Sequence, residues 1–308
     1  NVERFWSDIF AKRLEGLLTQ KDYDLVIMEG GYLMQYAHLV KQHSKAKIVF
    51  RPHNLEYIIW ERLAETEKGV LLPWYYGLLA RRMRAYEVSI MNEANFLAPV
   101  SANNRDMFVK LGCTLPAMVI PIGYSFDELP KISDVEENAI LFLGGMDWIP
   151  NREGVEWFID SVWPLIKAAK PGAKFYLAGR NFPEKMLQLN IDGIKVLGEV
   201  DDAKALLVSV AICIVPLMAG SGMRVKIIEA MALGRAIVST TVGAEGVDYT
   251  DGKDILIADE PKHFAQALLT VLNDSEKRRE LGINAQQLVK DKYDNLQLCR
   301  ALIDFCHS

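Results

Sequence analysis

Cysteine is scarce in this sequence: four residues in 308, Cys113, Cys213, Cys299 and Cys306, with no C-x-x-C pair among them. That spacing speaks against a disulfide framework and against a zinc site, and it fits a reducing, cytosolic compartment. Long apolar runs are missing too. The nearest, Gly69 to Ala80 (GVLLPWYYGLLA), is interrupted by Pro73 and falls short of the roughly 20 residues that a spanning helix requires. Positive charge is not in excess. Thirty-five basic residues face 40 acidic ones, a net charge of −5, which is the wrong sign for a protein that binds nucleic acid over its whole surface. There is no repeat of solenoid length and no low-complexity tract. The sequence opens on Asn1 without a methionine or signal-like residues, and further residues are expected upstream of it.

Half of the residues are hydrophobic and 24% are charged, with 21 Gly and 12 Pro spread along the chain, which is the composition of a globular protein. The length is about twice that of a common domain, so two domains are expected. Val2 to Leu18 has apolar residues at helical spacing, and Leu25 to Met28 and Ile48 to Phe50 read as buried strands around a helix from Tyr32 to Lys41. A long helical region from Ile58 to Asn92, broken near Pro73, leads to strands at Phe96 to Val100 and Met118 to Ile120 with a helix from Asn103 to Leu111 between them. Gly123 to Asn138 is polar and acidic and reads as a strandless linker.

The second half repeats the rhythm. Strands are expected at Ala139 to Leu143, Lys174 to Ala178, Ile194 to Leu197, Ile212 to Val215, Ala236 to Thr240 and Ile255 to Ile257. Helices are expected at Arg152 to Lys170, Asp202 to Ser209 and Met223 to Leu233, with two more starting near Pro261 and Ser275. This alternation predicts a parallel, doubly wound α/β sheet.

Gly220 to Gly246 (GSGMRVKIIEAMALGRAIVSTTVGAEG) is the most informative segment. A glycine-flanked loop that opens a helix after a buried strand offers backbone N–H groups and the positive end of the helix dipole to a phosphate. Gly220, Ser221 and Gly222 are expected to form that cradle. Lys226 and Glu229 share a face, while Arg224 lies about 160° round from Lys226 but close to the N-terminal end. Two cations at a helix start suit a diphosphate. The plainer reading is a solvated helix with a Lys226–Glu229 surface pair. It leaves unexplained why an acid interrupts the apolar run IIEAMALG, where a carboxylate calls for a dedicated partner such as ribose hydroxyls. Gly144-Gly145, at the carboxyl end of the first strand of this sheet, marks a second loop, with Gly145 as a backbone contact to phosphate and Arg152 ahead of the next helix.

This string resembles the donor-site signature of group 1 (family 4) glycosyltransferases of the bacterial polysaccharide-biosynthesis type. FLGGMDWIPNREGVEWF (Phe142 to Phe158), the pair Gly179-Arg180 and SANNRDMFVKLG (Ser101 to Gly112) are similar to segments of the same family, and the match runs through nearly all of residues 96 to 291 in the expected order. The resemblance implies an α/β, GT-B fold of two facing Rossmann-like doubly wound domains, the first truncated at its N-terminus. Residues 1–130 would form the acceptor side, with the C-terminal helix 292–308 packing back on it, and residues 136–291 the donor side. The implied reaction is a retaining transfer from a nucleoside diphosphate sugar, with no cofactor. Because the sequence offers cations and a helix N-terminus rather than a metal-binding acid pair, and no D-x-D motif is read in it, the transfer is expected to be metal-independent, with no metal site. Glu229 would hold the ribose, and Arg180, Arg224 and Lys226 would share the diphosphate.

Three departures accompany the match. Ser221 stands eight positions before Glu229, where the family commonly has a second glutamate for the sugar hydroxyls. Arg152 alone represents the Arg and Lys usual after the first strand of the nucleotide domain, and the glycine-rich loop after the first strand of the acceptor domain is absent. Two other readings stay open at this point: a nucleotide-sugar epimerase on the same fold, and a non-catalytic nucleotide-sugar-binding partner.

Arg51-Pro52-His53-Asn54-Leu55-Glu56 follows a buried strand of the first domain, again where ligands collect. The cluster is similar to the H-N-x-E segment of related transferases. That implies His53 as a hydrogen-bonding or proton-shuttling group near the transferred sugar, with Asn54 and Glu56 toward a saccharide or lipid-linked acceptor. Arg81-Arg82-Met83-Arg84 follows the apolar stretch that ends at Ala80. It fits a solvated basic helix face, or peripheral attachment to the anionic cytoplasmic face of an inner membrane.

Overall fold

The short apolar runs form strands, and in both of the sheets they build all strand pairing is parallel. The computed structural model describes residues 2–66, 69–126, 135–220 and 222–308. Two units are formed, the chain up to Pro121 together with Arg300–Ser308, and Ile122–Cys299. The change of unit thus falls at Pro121, ahead of the acidic segment, and the C-terminal helix Asn295–His307 rejoins the first unit from Arg300 onward.

The first unit holds three strands in chain order, β1 (Leu25–Glu29), β2 (Lys47–Arg51) and β3 (Phe96–Leu97). The expected strand at Met118 to Ile120 is not formed. Ala117 makes one bridge to Leu97, and the Met118 and Ile120 amides donate to the carbonyls of Leu97 and Pro99. The stretch is extended and tethered, but Pro99, Pro116 and Pro121 remove three of the donors that a ladder would use. The long helical region is two helices, Glu56–Thr66 and Leu71–Ile90. Pro73 is tolerated in the first turn of the second one, where its missing N–H leaves no helical bond unmade, so the break precedes it. At the N-terminal end the expected long helix is a short 3₁₀ turn, Glu3–Phe5, followed by Asp8–Gln20, whose first turn is capped by Ser7.

The second unit is a six-stranded sheet of β4 (Glu136–Leu143), β5 (Lys174–Ala178), β6 (Ile194–Gly198), β7 (Val210–Val215), β8 (Ala236–Ser239) and β9 (Leu256–Ile257), in the spatial order β6-β5-β4-β7-β8-β9. The order reverses between β4 and β7. Ile140, Phe142, Phe175, Leu177, Ile212 and Ile214 pack into one apolar layer, and Ala139, Leu141, Ala178, Cys213 and Val215 into the other. Burial on both faces explains why these strands read as continuous apolar runs rather than alternating ones. It also makes Cys213 a core residue, its thiol pushed up to about 12 by burial, and hence unreactive.

Two boundaries in this unit differ from the sequence expectation by three residues or more. Glu136 to Asn138 already belong to β4, and the rest of the expected linker, residues 127–134, lies outside the described residues. The helix expected from Arg152 to Lys170 starts earlier, at Ile149, and changes register through a π turn at Phe158–Val162 before Trp163–Ala169. Pro164 accounts for the π turn, since it cannot donate to the carbonyl one turn back; the last N–H before it, on Trp163, reaches Phe158 instead.

Candidate functional site

The reversal of strand order places two loops side by side at the carboxyl ends of β4 and β7, the crevice in which doubly wound sheets bind ligands. After β4 the backbone turns through Gly144-Gly145. The Gly144 N–H donates to Ala178, the Met146 N–H to Arg180, and the Gly145 N–H to no acceptor among the described residues. Gly179, at the end of β5, has φ +143°, and a Cβ on it would lie 2.1 Å from the Gly144 carbonyl oxygen. No other residue fits there.

After β7 the chain runs through Gly220 and Gly222, at φ +123° and +86°, into the helix Val225–Ala232. Ser221 lies outside the described residues. Arg224 is the extended residue that caps this helix rather than a member of its first turn. It is 7% exposed, its guanidinium 5.0 Å from the Trp148 ring centroid. A Cβ on Gly220 would sit 2.5 Å from Arg224 Nη2, so the bare backbone at Gly220 leaves the guanidinium its space.

Lys226 points back across the crevice. Its Nζ donates to Asn151 Oδ1 at 2.9 Å and lies 4.2 Å from the Phe142 ring centroid, while Asn151 Nδ2 donates to the Gly145 carbonyl at 2.8 Å. Burial, and then the nearby Arg224 charge, hold Lys226 down at about 7. It makes no ion pair with Glu229 among the described residues, so the surface-pair reading of this helix is set aside. Glu229 is half-buried. Burial raises its carboxyl above the usual range against the opposing pull of Lys204, and it makes no hydrogen bond among the described residues. The buried Tyr124 hydroxyl, also without a hydrogen bond there, is raised by burial and by the Glu229 charge. Lys204 Nζ lies 5.8 Å from the Tyr124 ring centroid.

The remaining donor-side candidates are less enclosed. Arg180 contributes its backbone carbonyl to the Met146 amide and has an exposed side chain. Arg152 is partly exposed, and lies inside the first turn of the helix Ile149–Trp157 rather than ahead of it.

The first unit gathers a second polar cluster. Parallel register sets Glu29 beside Arg51, and His53 follows two residues on. Glu29 Oε2 accepts from Arg51 Nη1 at 2.9 Å and lies 2.7 Å from His53 Nε2, while Arg51 Nη2 donates to the carbonyls of Ile120 and Pro121. Desolvation pushes Glu29 upward, but the His53 hydrogen bond and the Arg51 charge outweigh it, and its carboxyl sits below the usual range. The His53 carbonyl accepts from the buried Asn104 side chain at 2.9 Å. Glu56 is half-buried with its carboxyl raised by burial, and Tyr32 Oη lies 3.5 Å from it. Asn54 is half-buried, with no side-chain hydrogen bond among the described residues.

Sequence reasoning missed Asn151, Trp148, Tyr124, Lys204, Glu29 and Asn104. Most are distant in sequence from the group they serve; Trp148, Asn151 and Asn104 lie within the strings quoted above but were not singled out there, and Glu29 was readable as the last residue of a strand ahead of Gly30-Gly31. The single Asp-x-Asp string of the chain, Asp22-Tyr23-Asp24, leads into β1 and so sits at the amino end of the first sheet. The donor segment holds no such pair. No group of three or more metal-ligating side chains occurs among the described residues.

Residues 137–274 match the family model of glycosyl transferases group 1. The chain is 25% identical over 292 residues to an uncharacterized 44.6 kDa protein of the cps region of Klebsiella pneumoniae, covering 92% of this chain and 74% of that one. It is 24% identical over 295 residues to a phosphatidyl-myo-inositol mannosyltransferase of Mycolicibacterium smegmatis, covering 92% and 70%. Among solved structures, sucrose-phosphate synthase from Thermosynechococcus elongatus aligns with a TM-score of 0.70 at 16% identity, over 96% of this chain and 76% of that one. The fold is therefore the mixed α/β GT-B fold with parallel sheets, and the stretch similar to the group 1 model lies within the second unit.

Proposed function

We propose that the protein is a retaining glycosyltransferase that moves a sugar from a nucleoside diphosphate sugar to a hydroxyl of a saccharide or lipid-linked acceptor in cell-surface polysaccharide or glycoconjugate synthesis. One observation carries this reading. Lys226, Arg224 and the open Gly145 N–H converge on the crevice between β4 and β7, a preorganised positive site for the charge that grows on a departing diphosphate. Three enclosed donors of this kind suit a dianionic group better than a neutral sugar.

In the reaction the acceptor oxygen bonds to the sugar C1 as the bond from C1 to the diphosphate oxygen breaks. The acceptor proton passes to a donor phosphate oxygen, so no covalent enzyme intermediate is needed. Lys226, Arg224 and Arg180 meet the leaving charge, which makes the reaction metal-independent. Glu229, with Tyr124 beside it, takes the ribose hydroxyls. In the first unit Glu29 occupies His53 Nε2 and leaves Nδ1 for substrate, with Asn54 and Glu56 on the acceptor side. The enzyme works on the cytoplasmic side and attaches peripherally to the membrane. No helix among the described residues is long and apolar enough to cross one.

The test is a thermal-shift and calorimetric screen of UDP, GDP, ADP, dTDP and CMP, with and without EDTA. One diphosphate should raise the melting temperature in both conditions, and Glu229→Ala and Lys226→Ala should weaken its binding by about ten- to a hundredfold. Consumption of the matching sugar nucleotide should then require an acceptor. Consumption without one would mark an epimerase, and binding without any turnover a non-catalytic partner.

A further inference from the structure

Asn151 is 5% exposed, and both ends of its carboxamide are engaged. Lys226 has only donors and the Gly145 carbonyl is only an acceptor, so the amide can face one way: Oδ1 to Lys226 at 2.9 Å, Nδ2 to Gly145 at 2.8 Å. The two groups it joins come from different loops, one after β4 and one on the helix after β7. Gly144 makes the joint possible, since a Cβ there would lie 2.9 Å from Asn151 Nδ2 and 3.0 Å from Lys226 Nζ. Few other residues could replace this amide: Asp would turn an acceptor toward the Gly145 carbonyl, and an apolar side chain would leave a half-buried ammonium and a half-buried carbonyl unmet.

We infer that Asn151 is a positioning residue for the diphosphate, holding the Lys226 ammonium and the Gly144-Gly145 turn at one fixed separation so that the lysine and the Gly145 N–H address the same anion. This rests on the donor-site reading above. Asn151 itself does not touch the diphosphate; it removes from Lys226 the freedom of a long side chain and from the turn the option of presenting its carbonyl to the ligand.

Two readouts separate failure of this inference from failure of that reading. The first needs no ligand. In the full chain labelled with [13Cε]lysine, with the Lys226 signal assigned by Lys226→Arg, the titration midpoint should fall in Asn151→Leu, which removes the acceptor. It should rise in Asn151→Asp, which adds a carboxylate beside the ammonium. The second uses inorganic pyrophosphate, which has neither base nor sugar. Asn151→Leu should weaken its binding by about tenfold or more, with the loss smaller at pH 6 than at pH 8. Circular dichroism confirms that each variant is folded. A Lys226 midpoint unmoved in both variants would overturn the inference, whatever binds. A pyrophosphate affinity and pH profile in Asn151→Leu equal to those of wild type, with wild type binding, would overturn it as well. Moved midpoints with no pyrophosphate binding by wild type would uphold the Asn151–Lys226 link and reject the donor site.

Discussion

Glu87 Oε1 accepts the Glu56 backbone N–H at 2.8 Å and Oε2 the Tyr57 N–H at 3.2 Å, so the carboxylate of one helix caps the N-terminus of another. This is the turn that presents His53, Asn54 and Glu56. Glu87 is 3% exposed, and burial pushes its carboxyl up to about 7 against the pull of the two amides. Its folded pKa thus lies above its unfolded one, and the native state holds the extra proton between the two. The associated stability is complete below the unfolded value and is lost as pH rises through about 7. Relative to Glu87→Gln, wild type should therefore lose on the order of 3 kcal/mol between about pH 4.5 and pH 7.5. Urea denaturation of both proteins across that range reads the difference, and a constant difference would contradict the assignment.

Diphosphate binding should take up a proton. Lys226 is held at about 7 in the free protein, and an anion beside it would raise that value. Calorimetry of the best diphosphate at pH 8 in buffers of different ionisation enthalpy should show uptake approaching about one proton, absent in Lys226→Met. The affinity should weaken as pH rises above about 7, by at most about tenfold per unit.

Gly154 is required by a close approach rather than by its backbone angles. A Cβ there would lie 2.3 Å from the Pro216 carbonyl oxygen, which belongs to the loop after β7. Gly154→Ala gains about 1 kcal/mol in helix propensity, but rigid backbone on the other side cannot yield. A net loss on the order of 2 kcal/mol is expected, with weaker diphosphate binding, because the helix that carries Asn151 is pushed off the β7 loop. A rise in denaturation midpoint would show that the loop gives way.

Arg81 and Arg82 have an apolar neighbour on the same outward side of their helix, whereas Arg84 hydrogen-bonds the Tyr57 side chain. Leu71, Trp74 and Tyr75 are exposed, Trp74 to 63%, and Arg81, Arg82 and Arg84 follow them, while Ala80, Met83, Glu87 and Ile90 are buried. An apolar tip with a Trp, a Tyr and cations behind it suits an anionic lipid surface. Flotation should show several-fold more protein on vesicles of phosphatidylglycerol and phosphatidylcholine than on phosphatidylcholine alone. Replacing all three arginines by Glu, or Trp74 by Ser, should abolish the excess. Equal binding by the triple variant would end the proposal.

The alternation of elements and the parallel, doubly wound sheet were legible in the sequence because β4, β5, β7 and β8 are buried on both faces and so read as unbroken apolar runs. The glycine loop after β7 and the charges beside it were legible for a local reason: Gly220, Gly222, Arg224, Lys226 and Glu229 lie within ten residues of one another. Proline effects were read less well. Pro73 drew the helix break to itself although the first turn tolerates it, and Pro164 acted one turn ahead of its own position through the π turn.

What the sequence by itself determined is therefore the set of elements, their alternation and the chemistry gathered on each loop, since all of these depend on residues a few positions apart. Only the tertiary structure decided which loops meet. Asn151 and Lys226, Glu29 and His53, and Glu87 and Glu56 are joined across 75, 24 and 31 positions. Those pairings follow from strand order, from register and from which helix ends are buried. A buried amide or carboxylate must find its hydrogen bonds wherever the fold has placed the matching group, and periodicity along the chain holds no record of that place.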